Sequence, residues 1–299
     1  MMKALYSGVS GMRSHQTKMD VIGNNIANVN TNGYKTQRAT FRDIYYQTIK
    51  NPGEATAGTV GGTNSSQVGY GAQIGSVDTI HTISGYSPTN KSTDIYINGD
   101  GYLAVKNSSD ETLYTRLGAL SFDSKGNLVD ANGSRVLGWD NSTTNNTYTA
   151  ALDPSTATDI GVITIENFDC YGNITINKDG TITATKLKAT TAPDINSAAA
   201  IDSIVTIGFI PVVNIPNQNA LVLEGNSYYR AGNNAGSPIY NKPGKGGTGE
   251  IVAGGLEMSN VDLANEFSDM IITQRGYQAN TKIISVVDQM LEELVNLKR

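Results

Sequence analysis

The sequence predicts a mainly β protein with an α-helix at each end, and three observations support this. The chain of 299 residues is only 16% charged and contains 32 glycines, a composition typical of a Gly/Asn/Thr-rich β protein. Apolar residues recur at spacings of three and four near both ends. Between them, short strand-like runs alternate with turn residues. The predicted order is helix, connector, β-domain, connector, helix, so that two distant ends share one domain.

An apolar seam near the N-terminus predicts the first helix. Its members alternate spacings of four and three with a polar break at Gln16, as in a coiled coil. The run from Asn28 to Gly33 predicts the end of this helix, because Asn and Gly favour turns and left-handed caps. The seam residues are Leu5, Val9, Met12, Met19, Ile22 and Ile26.

A second seam predicts a longer helix at the C-terminus. Several N-cap candidates lie between Ser259 and Asp262, and the chain beyond them contains no proline and one glycine, Gly276. A helix over this whole run would be about 50 Å long. Its seam residues are Leu263, Phe267, Met270, Tyr277, Ile284, Val287, Leu291 and Leu294.

The middle of the chain predicts a β-domain with several hairpins. Three pairs of strand-like runs flank short turns that contain Gly, at 95–98 and 102–105, at 120–122 and 127–129, and at 174–176 and 181–183. The predicted domains are then helices at 1–32 and 260–299, extended discontinuous connectors at 33–75 and 240–259, and a β-domain at 76–239. Residues 140–205 would form a vestigial outer subdomain.

The two seams need partners, because a helix with one apolar stripe must bury it. The helices could pair with each other as a coiled coil, or each could fold onto the chain's own sheet. A helix pair from a single chain buries little apolar area, and further copies of the chain would cover the rest. If those copies meet through two different surfaces and the contact does not close into a ring, they build a helical filament.

Composition argues against enzymatic chemistry and against several partners. The chain has one cysteine and two histidines, which leaves little for a metal, a cofactor or a catalytic triad. His15 is expected to be a polar surface or interface group, His81 a structural residue, and Cys170 a small strand-end residue rather than a cross-linking one. Net charge is −5 without a basic block, so we expect no nucleic acid partner. No segment predicts membrane insertion or a cleaved signal peptide.

Both ends resemble the bacterial flagellar rod and hook proteins. The N-terminal motif runs from Met19 to Asn28 and continues to Lys35, and the C-terminal motifs run through 256–263 and 270–278. Residues 99–102, 114–118 and 179–182 extend the resemblance into the middle. The residues that carry the signature are Gly23, Asn24, Asn25, Ala27, Asn28, Gly33, Tyr34, Lys35, Ser259, Asn260, Val261, Gln274 and Arg275.

Within this family, the resemblance favours the hook subunit over the distal rod subunit. Residues 61–67 and 246–249 resemble compact hook subunits of Gram-positive bacteria, whereas residues 46–53 resemble the distal rod subunit. A hook subunit polymerises into a flexible hollow tube that transmits motor torque to the filament and lets export substrates pass. A secreted β-rich adhesin or binding module is the remoter alternative.

The resemblance also implies partners and a location. The paired helices would line the channel, and the β-domain would form the outer wall. The partners would be further copies of the chain, the distal rod protein, the hook cap, the hook–filament junction protein and the type III flagellar export apparatus. The subunit would lie in the hook and basal body, outside the cell, after export without a cleaved signal peptide.

Overall fold

The protein is mainly β, with one α-helix near each end, as the sequence predicts. A computed structural model describes residues 2–54, 61–140, 160–165, 167–188 and 199–297, with the side chain of residue 140 left out. The chain divides into two units. Unit 1 comprises residues 1–29, 36–80 and 261–299, and unit 2 comprises residues 30–35 and 81–260.

The described part of unit 1 consists of two helices and two antiparallel strand pairs. The strand β1 pairs with β4, and β2 pairs with β3. Both ranges expected to be extended connectors, 33–75 and 240–259, therefore contain paired strands in their described parts. The elements of unit 1 are α1 (Met2–Ala27), β1 (Gln37–Asp43), β2 (Tyr46–Lys50), β3 (Ser66–Gly69), β4 (Ala72–Thr79) and α2 (Leu263–Asn296).

The helix ends follow the capping signals in the sequence. The helix α1 ends at Ala27, directly before the Asn- and Gly-containing run, and Gly33 adopts a φ of +71° there. The helix α2 begins after Asp262, whose carboxylate accepts hydrogen bonds from the backbone N–H groups of Ala264 and Asn265. These bonds satisfy donors that would otherwise be unpaired at a helix N-terminus.

Unit 2 is built around one antiparallel sheet. Its main path runs β13-β14-β15-β11-β7-β8-β18-β17, with β9, β10 and β12 attached beside β11. Three further pairs, β5 with β21, β6 with β20 and β16 with β19, complete the described unit. The strands are β5 (Tyr86–Pro88), β6 (Ile95–Asn98), β7 (Leu103–Lys106), β8 (Thr112–Thr115), β9 (Leu120–Phe122), β10 (Leu128–Asp130), β11 (Arg135–Asp140), β12 (Gly161–Val162), β13 (Tyr171–Ile176), β14 (Thr181–Lys186), β15 (Ile204–Phe209), β16 (Val212–Asn214), β17 (Leu221–Gly225), β18 (Tyr228–Ala231), β19 (Ile239–Asn241), β20 (Glu250–Ala253) and β21 (Gly255–Glu257).

The strand β7 lies between two apolar clusters. Leu103 and Val105 belong to the larger cluster, and Tyr102 and Ala104 belong to the smaller one. Successive side chains of a strand point to opposite faces, so this alternation shows that the sheet is covered on both sides at β7. Unit 2 therefore contains the main hydrophobic core of the described chain.

One predicted hairpin is wrong and two are confirmed. The runs at 95–98 and 102–105 do not pair with each other: β6 pairs with β20, and β7 pairs with β8 and β11. Gly99 and Gly101 both have positive φ, and they separate the two strands instead of joining them in a ladder. The hairpins β9–β10 and β13–β14 form where they are predicted, across residues 123–127 and 177–180.

The range proposed as a vestigial outer subdomain is described in part. Residues 141–159, 166 and 189–198 lie outside the described residues. The described strands β12, β13 and β14 pair into the main sheet of unit 2, and β14 reaches β11 through β15.

Candidate assembly surfaces

The helices α1 and α2 pack antiparallel within unit 1. A Cβ atom added at Gly8 would lie 3.3 Å from Cγ1 of Ile284, and one added at Gly11 would lie 2.6 Å from Nδ2 of Asn280. Early residues of α1 therefore lie beside late residues of α2. Near the other end of the pair, Lys18 Nζ lies 3.3 Å from Asp269 Oδ2. The glycines allow this close approach because they carry no side chain.

The predicted seam residues differ in how far a single chain covers them. Every predicted seam residue of α1 is buried or half-buried: Leu5, Val9, Met12, Met19, Ile22 and Ile26. On α2, the covered members are Met270, Tyr277, Ile284, Val287 and Leu291. The exposed members on α2 are Leu263, Phe267 and Leu294. One chain thus covers the middle of the α2 seam and leaves its ends open.

Asn25 connects α1 to two other elements of unit 1. Its side chain is 1% exposed, and its Nδ2 donates to the backbone oxygen of Gln37 and to Oε1 of Glu266, both at 2.9 Å. Its Oδ1 accepts from the backbone N–H of Gln37 at 3.0 Å. Burial raises the pKa of Glu266, and the hydrogen bond from Asn25 opposes that shift. A signature asparagine therefore fixes where β1 and α2 meet α1.

A second apolar face of α2 is exposed, and the predicted seam does not include it. We call it the α2 stripe; Ile272 and Leu297 are its most exposed members, at 62% and 82%. The spacings between its members are seven, four, three, four and seven residues, so they lie on one face of the helix. Exposed contiguous apolar surface typically marks an interaction site. The α2 stripe consists of Ile272, Ala279, Ile283, Val286, Met290 and Leu297.

A buried ion cluster lies in unit 2, where the chain enters and leaves it. Lys35 Nζ lies 2.7 Å from Glu257 Oε1 and donates to the backbone oxygen of Thr82 at 2.7 Å. Arg116 Nη1 lies 3.4 Å from Glu257 Oε2, and its Nη2 donates to the backbone oxygen of Gly99 at 2.8 Å. The three charged side chains are at most 1% exposed.

The cluster depends on Glu257, because it is the carboxylate that faces both cations. Burial lowers the pKa of Lys35, and the neighbouring Glu257 opposes that shift. Buried charges are costly unless they are paired and hydrogen-bonded. The backbone of Glu257 also accepts from the N–H of Gly33 at 2.8 Å. The cluster therefore joins the entering and leaving segments. Lys35 is one of the signature residues of the sequence, and its two partners are not, although both lie in segments that carry the resemblance.

The remaining signature residues fall into two groups. Three of them form hydrogen bonds in unit 2. Asn260 Nδ2 donates to Thr82 Oγ1 at 3.0 Å, and the backbone N–H of Asn260 donates to the backbone oxygen of Tyr34. The backbone oxygen of Ser259 accepts from Ser84 Oγ at 2.7 Å. On the helices, Asn28 Nδ2 donates to the backbone oxygen of Asn24, and Arg275 donates to Gln278. Gly23, Asn24, Ala27, Gln274 and Arg275 are exposed, and Val261 is half-buried.

Both histidines lie among aromatic or apolar groups. The OH of Tyr102 lies 2.8 Å from Nδ1 of His81, and burial, helped by the charges of Lys35 and Arg116, lowers the pKa of His81 to about 4. His15 packs against Phe41 with ring centroids 5.7 Å apart, and burial lowers its pKa too. Cys170 is a half-buried free thiol.

The described residues contain neither a candidate metal site nor a candidate membrane-spanning helix. They contain no group of three or more His, Cys, Asp and Glu side chains that could hold a metal ion. Neither of the described helices combines the length and apolarity needed to cross a membrane.

Family profiles match three parts of the chain. The profile described as "Flagella basal body rod protein" matches residues 5–35, which include most of α1. The "Flagellar hook protein FlgE/F/G D1 domain" profile matches residues 96–184, within unit 2. The "Flagellar basal body rod FlgEFG protein C-terminal" profile matches residues 252–297, which include α2.

Full-length relatives agree with these profiles. The chain is 41% identical to the flagellar basal-body rod protein FlgG of Bacillus subtilis over 300 aligned residues that cover both chains completely. It is 33% identical to FlgG of Buchnera aphidicola, over 99% of this chain and the whole relative. It is also 29% identical to the flagellar hook protein FlgE of Borreliella burgdorferi, over 443 aligned positions and both whole chains. The chain therefore belongs to the family of bacterial flagellar rod and hook proteins, which are structural subunits.

Proposed function

We propose that the protein is the subunit of the flagellar hook, and that it polymerises into a flexible hollow tube. One observation carries this proposal: the two ends of the chain form a helical unit whose α2 stripe remains exposed after the helices have paired. A self-assembling subunit buries such a stripe against further copies. The resemblance of residues 61–67 and 246–249 to compact hook subunits favours the hook within the family.

In this proposal the two units have different tasks. Unit 1 forms the inner wall around the export channel, and its seam residues hold the helices together within and between subunits. Unit 2 forms the outer wall. Its core is closed on both faces of β7, which suits a stiff body that transmits torque.

The same proposal names the partners and the location. The subunit contacts further copies, the distal rod protein below, the hook cap during growth and the hook–filament junction protein afterwards. The type III flagellar export apparatus delivers it, without a cleaved signal peptide, to the outside of the cell. Each of these partners follows from the hook assignment.

The distal rod subunit is a second candidate, because the Bacillus subtilis relative at 41% identity carries the rod name. The aligned lengths point the same way: relatives named FlgG align over 295–300 positions, whereas those named FlgE need 443 or 468.

Immunogold electron microscopy of isolated hook–basal bodies distinguishes the two candidates. An epitope tag is placed in the β7–β8 turn of unit 2, near the exposed Asp110. We expect gold on the curved sleeve outside the cell envelope. Gold confined to the straight shaft within the envelope would assign the protein to the distal rod. Gold on neither part, with the tag accessible on the free subunit, would contradict both assignments.

A further inference from the structure

We propose that a groove beside α1 receives the C-terminal part of the α2 stripe from a second copy of the chain. This inference rests on the proposed self-assembly and specifies one contact within it. It also separates two faces of α2: one pairs with α1 of the same chain, and the other binds a different chain.

The groove lies in unit 1 between α1 and the strands that pack on it. Its volume is about 370 Å³. Tyr6, Val9 and Arg13 line it from α1, and Ile44 and Ile74 line it from the strand side. Tyr6 is 63% exposed and Ile44 is 40% exposed, so large apolar surface remains open to a partner. We call this feature the α1 groove.

The C-terminal third of α2 has the shape and the apolarity to occupy the α1 groove. Val286, Met290 and Leu297 of the α2 stripe lie on one face there and are each more than 40% exposed. Side chains three, four and seven residues apart on a helix form a ridge that can enter an elongated groove. Burial of a ridge and a groove together would remove two exposed apolar surfaces from water.

Charge complementarity selects the same pairing. Arg13 is the charged residue among those that line the α1 groove, and Glu293 lies beside the α2 stripe. Within the described part of the chain, neither of these two side chains takes part in an ion pair. Complementary charges set orientation and register at an interface.

A single chain cannot make this contact with its own α2. Gly11 lies beside Asn280 in the antiparallel pair, so Arg13 lies near the same level of α2. Glu293 is a further 13 residues along the helix, which corresponds to about 20 Å. The groove and the ridge must therefore belong to different copies. Because they are different surfaces, one copy can bind a second through its groove and a third through its ridge. Such a heterologous contact builds an open helical assembly when its rotation does not close.

Charge reversal tests the pairing. The variants Arg13→Glu and Glu293→Arg should each reduce the amount of subunit in isolated axial structures at least tenfold. The double variant should restore it to within about twofold of the unmodified chain. Asp20→Arg, an exposed change on α1 outside the groove, is the matched control and should assemble normally. Single variants that assemble normally, or a double variant no better than the singles, would overturn the proposal.

Cysteine cross-linking tests the contact without changing charge. In a Cys170→Ala background, Val9→Cys with Met290→Cys should give a ladder of covalent oligomers after mild oxidation of isolated axial structures. In one chain these positions are about 10 Å apart along the helix axis, beyond the reach of a disulfide. The control pair is Val9→Cys with Phe267→Cys, which should give no ladder.

The outcomes separate this inference from the proposed function. Suppose that axial structures assemble but only the control pair, or neither pair, gives a ladder. That result would reject the proposed contact at the α1 groove and would leave the proposal of self-assembly intact. If the unmodified chain were missing from isolated axial structures, the proposed function itself would fail.

Discussion

At the scale of single residues, Glu257 holds together segments that are far apart in the sequence. Its carboxylate faces Lys35 and Arg116, and its Oε1 also accepts from the backbone N–H of Ser84 at 3.2 Å. Two buried positive charges share this one carboxylate as their ion-pair partner. Loss of the carboxylate should therefore reduce the stability of unit 2 more than most surface changes do.

Removal of this carboxylate should strongly destabilise unit 2. We expect Glu257→Ala to lower the free energy of unfolding by about 3–5 kcal/mol, because it leaves two buried cations without their partner. Urea unfolding of the monomer, followed by the fluorescence of the buried Trp139, measures the effect. The control is Lys106→Ala, which breaks an exposed ion pair with Asp110 and should cost less than about 1 kcal/mol. Equal losses from both variants would contradict the role given to Glu257.

His81 should make unit 2 less stable in mild acid. Its folded-state pKa of about 4 lies below the ordinary value of 6.5, so the unfolded chain binds the proton first as pH falls. The stability that neutral His81 contributes is present above pH 6.5 and is lost progressively down to pH 4, by up to about 3 kcal/mol.

The test compares the unmodified chain with His81→Gln. The free energy of unfolding, measured by Trp139 fluorescence, should fall less between pH 7 and pH 4.5 in the variant than in the unmodified chain, because glutamine does not titrate. A variant that kept the full pH dependence would assign the effect to other groups.

At the scale of elements, the sequence predicts local structure well and long-range pairing poorly. The N-cap at Asp262, the end of α1 at Ala27 and two hairpins follow from signals within a few residues. The pairing of β6 with β20 joins residues about 150 apart, and no turn signal encodes it. The ion cluster is hidden for the same reason, since Lys35, Arg116 and Glu257 are widely separated along the chain.

The α2 stripe illustrates a second limit of periodicity. A helix with two apolar faces satisfies a three-and-four spacing in more than one way, and the sequence does not say which face the chain covers itself. The structure distinguishes adjacent positions: Val287 is 4% exposed and Val286 is 42% exposed.

These adjacent valines provide a matched pair of substitutions. Val287→Asp should disrupt the α1–α2 pair in the monomer, because it buries an unpaired charge. Val286→Asp should leave the monomer's helicity and melting temperature unchanged and should block assembly. Circular dichroism of the monomer and electron microscopy of axial structures give the two readouts. Loss of monomer helicity from Val286→Asp, or normal assembly with it, would show that the two faces are not separate.

At the scale of the whole molecule, the two units differ in how much they bury. The buried residues of α1 are Gly8, Ser14, Ile22 and Asn25, and those of α2 are Thr273 and Val287. Unit 2 contains nearly all of the large buried apolar side chains. Regions with few buried apolar contacts open at lower free energy than a dense core.

Limited proteolysis of the dilute monomer should therefore reduce it to a fragment of roughly residues 81–260. The ends should be cut first, because unit 1 lacks neighbours that cover the α2 stripe. The same protease should spare unit 1 in assembled structures. Mass spectrometry of the surviving fragments makes the comparison. Ends that resist cleavage in the monomer as long as unit 2 does would show that unit 1 is stable alone.

The discontinuity of unit 1 has a consequence for the order of folding. More than 230 residues separate the end of α1 from the start of α2, and these two helices need each other to cover their seams. If the chain folds from its N-terminus, unit 2 is complete at residue 260, before α2 is available to pair with α1. The surface for joining other copies then matures only when the last segment arrives. A chain truncated before α2 would fold unit 2 but lack the α2 stripe, and it would not join the growing polymer. The discontinuity of unit 1 would thus restrict assembly to subunits that contain α2.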